Sequence, residues 1–408
     1  MPNPNTNFKN NSGTDLGNVL ITKEYLMTVY PQIAGQLITP ELWTWGENAY
    51  GKLGNNSSGG GRSTPITTFA GGSNWKQVAS GQHMAAIKTD GTLWTWGRNN
   101  AGQLGDNTTI HRSTPVTTFA GGTNWKQVAT GNTYTAAIKT DGTLWTWGSS
   151  GFGQLGTNTT VSRSTPVTTL SGGANWKQVD CGGYHTAAIK TDGTLWTWGV
   201  NSFGQLGDNT TTGRITPVTT FAGGTNWKQV SCAGYHTSAI KTDGTLWVWG
   251  SNYFAKLGIN DTTNRPTPVT TFAGGTNWKQ VACGGNFTSA IKTDGTLWVW
   301  GQNSYGQLGI NLGLSTNSRT TPVTTFAGGT NWKQVSCGYH NTLAIKTDGT
   351  LWTWGRNNNA QVGDNTATDR STPVTTFAGG TNWKQIDITS FQSASVAAIK
   401  TSDDLQGI

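Results

Sequence analysis

Thr186-Ala-Ala-Ile-Lys190, Thr191-Asp-Gly-Thr194 and Leu195-Trp-Thr-Trp-Gly199 follow one another without a break, and this stretch decides the fold. Two short β-prone runs flank Asp192-Gly193. An Asp-Gly pair tolerates the positive φ of a type I′ turn, so the spacing predicts a two-residue hairpin. The string Leu-Trp-Thr/Val-Trp-Gly recurs seven times, starting at Leu42, Leu93, Leu144, Leu195, Leu246, Leu297 and Leu351, with a period of 51 residues that lengthens once to 54. Strand-like units repeating near 50 residues build either a closed ring of blades or an open solenoid.

Working outward, a polar loop runs from Val200 to Thr216 and contains Phe203-Gly-Gln-Leu-Gly207. Pro217-Val-Thr-Thr-Phe221 reads as an edge strand, because proline cannot donate to a ladder. After Ala-Gly-Gly-Thr the chain enters Trp227-Lys-Gln-Val-Ser-Cys232, the fourth strand of the unit. Four antiparallel strands make a propeller blade. Cys181-Gly-Gly-Tyr-His185, Asp192-Gly, Trp196-Thr-Trp-Gly199 and Gly204-Gln-Leu-Gly207 together resemble the regulator of chromosome condensation repeat. The resemblance covers residues 42 to about 400 and implies an all-β, seven-bladed propeller. It departs locally where Ala255-Lys256 and Ala360 replace Gly-Gln or Gly, where Tyr134 and Phe287 replace His, and where the seventh unit lacks Cys-Gly-x-x-His.

The phase of the repeat predicts how the ring closes. Leu42–Trp45 has no Ala-Ile-Lys partner before it, and Ala398-Ile-Lys400 has no Leu-Trp partner after it. Pairing Leu42–Trp45 with Ala397–Lys400 as antiparallel neighbours builds one blade from both chain ends and removes two sheet edges. The expected organisation is a non-repeating arm over 1–36, a propeller over 37–402 and a tail over 403–408.

Composition agrees. Charged residues are only 11% and hydrophobic residues 34%, but there are 21 Trp. At roughly 150–250 Å² each these bury about 4,000 Å², enough to stand in for the missing Leu and Ile. Cys181, Cys232, Cys283 and Cys337 share one repeat position that elsewhere holds Ser80, Thr130 and Ile388, which marks a packing site and not a disulfide or metal set. No secretory leader and no 18-residue apolar run are evident, which argues against export and membrane insertion. The His positions interchange with Tyr, Phe and Asn, so no fixed acid–base pair is available and no enzyme, cofactor or metal is expected.

Strand direction sorts the loops onto two faces. The Gly-Gln-Leu-Gly loops and Cys-Gly-Gly-Tyr-His turns share an upper face, and nearly all differences between repeats fall there. A candidate protein-binding surface therefore comprises Tyr50, His83, Tyr134, Phe152, Tyr184, His185, Phe203, Tyr235, His236, Tyr253, Phe254, Phe287, Tyr305, Leu312, Leu314, Tyr339 and His340. A basic ring, Arg62, Arg112, Arg163, Arg214, Arg265, Arg319 and Arg370, precedes each proline strand on the same face. Two lysine rings, represented by Lys177 and Lys190, lie toward the lower face. Repetition copies a residue whether or not it acts, and lysine stems commonly cover Trp edges, so these read as structural and nucleic acid is not the expected partner.

In the arm, Thr22 can cap a short helix over about 23–30, with Pro31 closing it. Leu16, Val19, Leu20, Tyr25, Leu26, Val29 and Tyr30 give it an apolar surface that either packs on the propeller or anchors against another subunit. The near-identical Gly-Gly-Thr-Asn-Trp-Lys-Gln units resemble structural proteins of tailed bacteriophages. That resemblance implies a virion component made in the host cytoplasm, with virion proteins, a host receptor or a glycan as partner. The alternatives are a free cytoplasmic interaction module or inhibitor, a glycan-binding propeller, and a guanine-nucleotide exchange factor like the best-known member of the repeat family.

Overall fold

The computed structural model describes residues 39–401 except 70–71, 171–172, 313–317 and 389–394. Seven four-stranded antiparallel sheets are arranged as seven blades. Blades are numbered here by the copy of Leu-Trp-Thr/Val-Trp-Gly they contain. Blade four, for example, runs outward through Trp176–Cys181, His185–Lys190, Leu195–Gly199 and Arg214–Thr219.

Blade one closes the ring as the phase of the repeat requires. Pro40–Gly46 pairs antiparallel with Ser395–Thr401, Leu42 facing Ile399 and Trp45 facing Val396. Each chain end supplies two strands of this sheet.

Two sequence expectations need correction. The strand Trp227–Cys232, which ends the sequence unit, is the innermost strand of blade five and not the outermost neighbour in blade four. The hairpin at Asp192-Gly193 is also not a two-residue type I′ turn. Lys190 N–H donates to Thr194 O and Gly193 N–H to Lys190 O, leaving three residues in the loop. Only Gly193 has a positive φ. Asp192 stays in ordinary backbone space because its carboxylate accepts the N–H and hydroxyl of Thr194, at 2.9 and 2.7 Å. A type I turn followed by a left-handed glycine gives the same strand pairing.

The core lies between blades. Ile138 and Leu144 of blade three pack with Trp176, Val179 and Trp198 of blade four. The second Trp of each Leu-Trp-Thr/Val-Trp string crosses to the preceding blade's loop: Trp198 Nε1 donates to Gln154 O at 2.8 Å, and Trp45 repeats the bond to Gln361 O across the closure. Near the axis a belt of glutamines does the same. Gln178 Nε2 donates to Val230 O while Gln178 Oε1 accepts Val230 N–H, and Gln385 makes both bonds to Val78 across the closure. The belt explains why Gln recurs at a half-buried position in all seven inner strands. It satisfies backbone groups that the innermost strand would otherwise present to the channel.

Candidate functional site

The upper face is built from loops that each blade folds in the same way. In blade four, Asn201 Oδ1 accepts Leu206 N–H, and Asn201 Nδ2 donates to Asp208, Thr210 and Thr212. Gln205 Oε1 accepts Phe203 N–H at 2.9 Å, which fixes the backbone under the aromatic ring. The same bond from Gln recurs at Ala101, Phe152, Tyr305 and Asn359. Blades one and five carry Lys52 and Lys256 at this position. An ammonium cannot accept. In these two blades the aromatic residue two positions earlier turns to positive φ, 62° at Tyr50 and 67° at Phe254.

The structure divides the predicted surface residues into two groups. Tyr50, Phe152, Phe203, Tyr235 and Tyr253 are exposed, as is Leu312, and Tyr184, Phe254, Tyr305 and Tyr339 are half-buried. Phe152 stacks edge-on against Tyr184 and Phe203 against Tyr235, each at 5.3 Å between centroids. Tyr50 stands against His111 at 4.7 Å, and Arg98 lies over its ring. Around the axis Tyr184, Tyr235, Asn286 and Tyr339 rim a funnel of about 330 Å³.

His83, Tyr134, His185, His236 and Phe287 are fully buried and cannot contribute to an accessible face. Each opens the second strand of its blade, so its side chain enters the layer between blades. His185 Nε2 meets Thr237 Oγ1 of the next blade at 2.9 Å, and the Tyr134 hydroxyl donates to His185 O. Burial holds His83 and His185 down at about 3, so both rings are neutral at physiological pH. Cys337-Gly338-Tyr339-His340-Asn341 has the same length as Cys181–His185, so Asn341 takes the interior position of His185, and the position of Tyr184 falls to His340, which is only 8% exposed. There it packs against Tyr305 and Tyr339. Leu314 and the arm residues Leu16, Val19, Leu20, Tyr25, Leu26, Val29 and Tyr30 lie outside the described residues, as do the expected helix over 23–30 and the 403–408 tail.

The arginine ring is mostly loop chemistry. Arg112, Arg214, Arg265 and Arg370 pair with Asp106, Asp208, Asp261 and Asp364. Burial opposes ionisation of Asp208, but bonds from Thr210 and Arg214 outweigh it and hold the carboxyl below its usual range. Asn55, Thr157 and Ile310 replace the acid beside Arg62, Arg163 and Arg319, which have no ion pair among the described residues.

Sequence reasoning missed the axial channel. The innermost strands line about 220 Å³, and Asp180 and Asp387 face it. Asp387 accepts Ser80 N–H across the ring closure, and Asp180 accepts Cys232 N–H. Burial dominates both, pushing Asp180 up to about 6 and Asp387 up to about 7. Two acids among Ala and Ser at one repeat position were the available signal. Each blade also exposes an apolar residue after its outermost strand, such as Phe119 and Phe221, which the sequence reading passed over. The four cysteines are buried and free, and no group of three metal-ligating side chains occurs among the described residues. No helix among them is long and apolar enough to cross a membrane.

Residues 37–279 match the RCC1-like domain, and 294–345 and 348–395 match the regulator of chromosome condensation repeat. The chain belongs to the RCC1-like domain family. It is 31% identical over 283 residues to the ultraviolet-B receptor UVR8 of Arabidopsis thaliana, a match covering 68% of this chain and 64% of that protein. It is 28% identical to the mitochondrial RCC1 domain-containing protein RUG3 of the same plant, over 84% of this chain and 83% of the relative. Among solved structures, human WBSCR16 superposes with a TM-score of 0.77 at 22% identity, covering 89% of this chain and all of that one. Yeast RCC1 in complex with Kap60 gives the same TM-score at 19% identity, covering 91% of each chain. These likenesses establish an RCC1-like seven-bladed propeller.

Proposed function

We propose that this chain is a non-enzymatic protein-recognition propeller that engages its partner with the upper face. The observation that carries the reading is the separation within that face. Trp, Ile and Leu side chains repeated from blade to blade pack between the blades, while Tyr184 and Tyr235, which Gln82, Thr133, Asn286 and His340 replace in other repeats, and Tyr339, at a position held by Gly183 and Gly285, stand at the rim of one funnel. Half-exposed tyrosines on short, hydrogen-bonded loops give large contact area at little entropic cost. The complex of yeast RCC1 with Kap60 shows that a propeller of this fold takes a protein partner.

Affinity capture from the source cell or particle tests the reading, comparing wild type with a Y184A/Y235A/Y339A variant and an F119A/F221A/F272A variant on the outer perimeter. The upper-face variant is expected to lose the partner at unchanged melting temperature. Loss in the perimeter variant alone sinks the proposal. The finer reading, a virion component anchored by residues 1–36, extends the expectation drawn from the repeat sequence and from the apolar residues of the arm. Mass spectrometry of purified virions checks it, and absence of the chain from them removes it in favour of a free interaction module.

A further inference from the structure

We infer that the pocket beside Lys256 on the upper face is a receptor for an acidic side chain, flanked by an apolar residue, on a protein partner. The inference rests on the upper face being the binding surface and names the chemistry it selects.

Lys256 is almost completely buried, with 1% of its surface accessible, at the floor of a pocket of about 520 Å³ walled by Phe203, Tyr235, Tyr253 and Phe254. Its ammonium donates to Asn286 Oδ1 at 2.9 Å and reaches Gly285 O at 3.5 Å. Both partners are neutral, and no carboxylate pairs with it among the described residues. A buried charge without a counter-charge is costly, so a site that keeps one is poised for an anion.

The repeat supplies its own control. Blade one carries Lys52 at the same loop position, equally buried, and there Glu47 meets the ammonium at 2.9 Å. The residue matching Glu47 in blade five is Ser251, which lines the Lys256 pocket. Where blade one provides a carboxylate from within the chain, blade five has a short hydroxyl and an opening. The walls fix the rest of the ligand. Tyr253 is largely exposed and Phe203 and Tyr235 partly so, and they would cover an apolar neighbour of the acid. Phe254 sits at positive φ in this loop, a strain that accompanies the exchange of Gln for Lys.

Burial lowers the Lys256 amine to about 8. A carboxylate partner favours the charged form, so binding should be strongest between the acid's pKa and about 8 and should weaken as pH rises above that.

The test uses the full chain with lysine labelled at 13Cε and two probes, acetyl-Phe-Asp-Phe-amide and acetyl-Phe-Asn-Phe-amide, followed by NMR at pH 7. The expected result is shift changes confined to the pocket, at least about tenfold preference for the Asp peptide, and a Lys256 titration midpoint raised by about one unit at saturation. K256Q places the residue that five other blades use at this position, so it is compatible with the fold, and it should abolish the preference. S251E reproduces the pair of blade one and should raise the Lys256 midpoint while blocking the Asp peptide. Equal affinity for both peptides, binding of neither, or a preference that survives K256Q overturns the inference. Partner capture that is lost in Y184A/Y235A/Y339A but retained in both K256Q and S251E overturns this inference alone and leaves the binding face standing.

Discussion

The lower corner of each blade is the same object seven times, whereas the upper loops are seven variants of one object. In blade four Trp176 stands edge-on to Trp196 and Trp198, and Lys190 lies 4.9 and 4.5 Å from the Trp176 and Trp196 rings. The arrangement recurs in every blade, through to Lys400 over Trp43 and Trp383. At the upper end the aromatic stacks change partner from blade to blade: Tyr50 with His111, Phe203 with Tyr235, Tyr305 with His340. Identity at one end and divergence at the other separate what holds the ring together from what it presents. A lysine held between two indoles is occupied, so most of one basic ring is accounted for by packing.

The comparison can be broken by substitutions at each end. The largest expected effect is W198A, which removes a fully buried indole and its bond to Gln154 O. Loss of about 3–5 kcal/mol is expected, read as a sharply lowered melting temperature in calorimetry. Next is Q229A in the axial belt, which strands Val281 N–H and Val281 O. About 1–3 kcal/mol should be lost in denaturant unfolding.

D387N tests the channel with a sign opposite to that of an ordinary salt-bridged carboxylate. Asp387 titrates near 7 when folded, against about 3.9 unfolded. The folded state therefore holds the extra proton between those values, and the stabilisation present at acid pH is lost as pH rises through 7. D387N is expected to stabilise by about 1–2 kcal/mol at pH 8, after discounting for the solvent in the channel, and to change little at pH 4. Equal effects at both pH values would remove the carboxylate as the cause.

K190M keeps the stem over the two indoles and removes the charge. About 0.5–1 kcal/mol should be lost. The smallest effect on stability is Y235A at the funnel rim, within about 0.5 kcal/mol. If Y235A destabilises as much as K190M, the division between scaffold and surface fails at that residue.

Blade number, strand order within the hairpin and the closure of blade one were all legible in the chain. Each follows from short-range constraints copied seven times: a turn around Asp192-Gly193, a proline that demands an edge, and Leu42–Trp45 left without a local partner. Periodicity also placed the variable positions on one face. It did not distinguish His185, sealed between blades, from its neighbour Tyr184 at the rim, because adjacent residues at a strand's start point in opposite directions and the sequence does not state which inward. In the turn after Cys337, of unchanged length, Asn341 holds the interior position and His340 the position of Tyr184.

Lys256 makes the same point. In the sequence it is a departure from Gly-Gln. Only the folded ring shows that the Glu47 carboxylate answers Lys52, while among the described residues Lys256 finds neutral acceptors and no carboxylate. Local propensity and repetition determine the scaffold, because every blade solves the same packing problem with the same residues. Burial and charge pairing depend on which side chains from neighbouring blades converge, and that was decided by the tertiary structure alone.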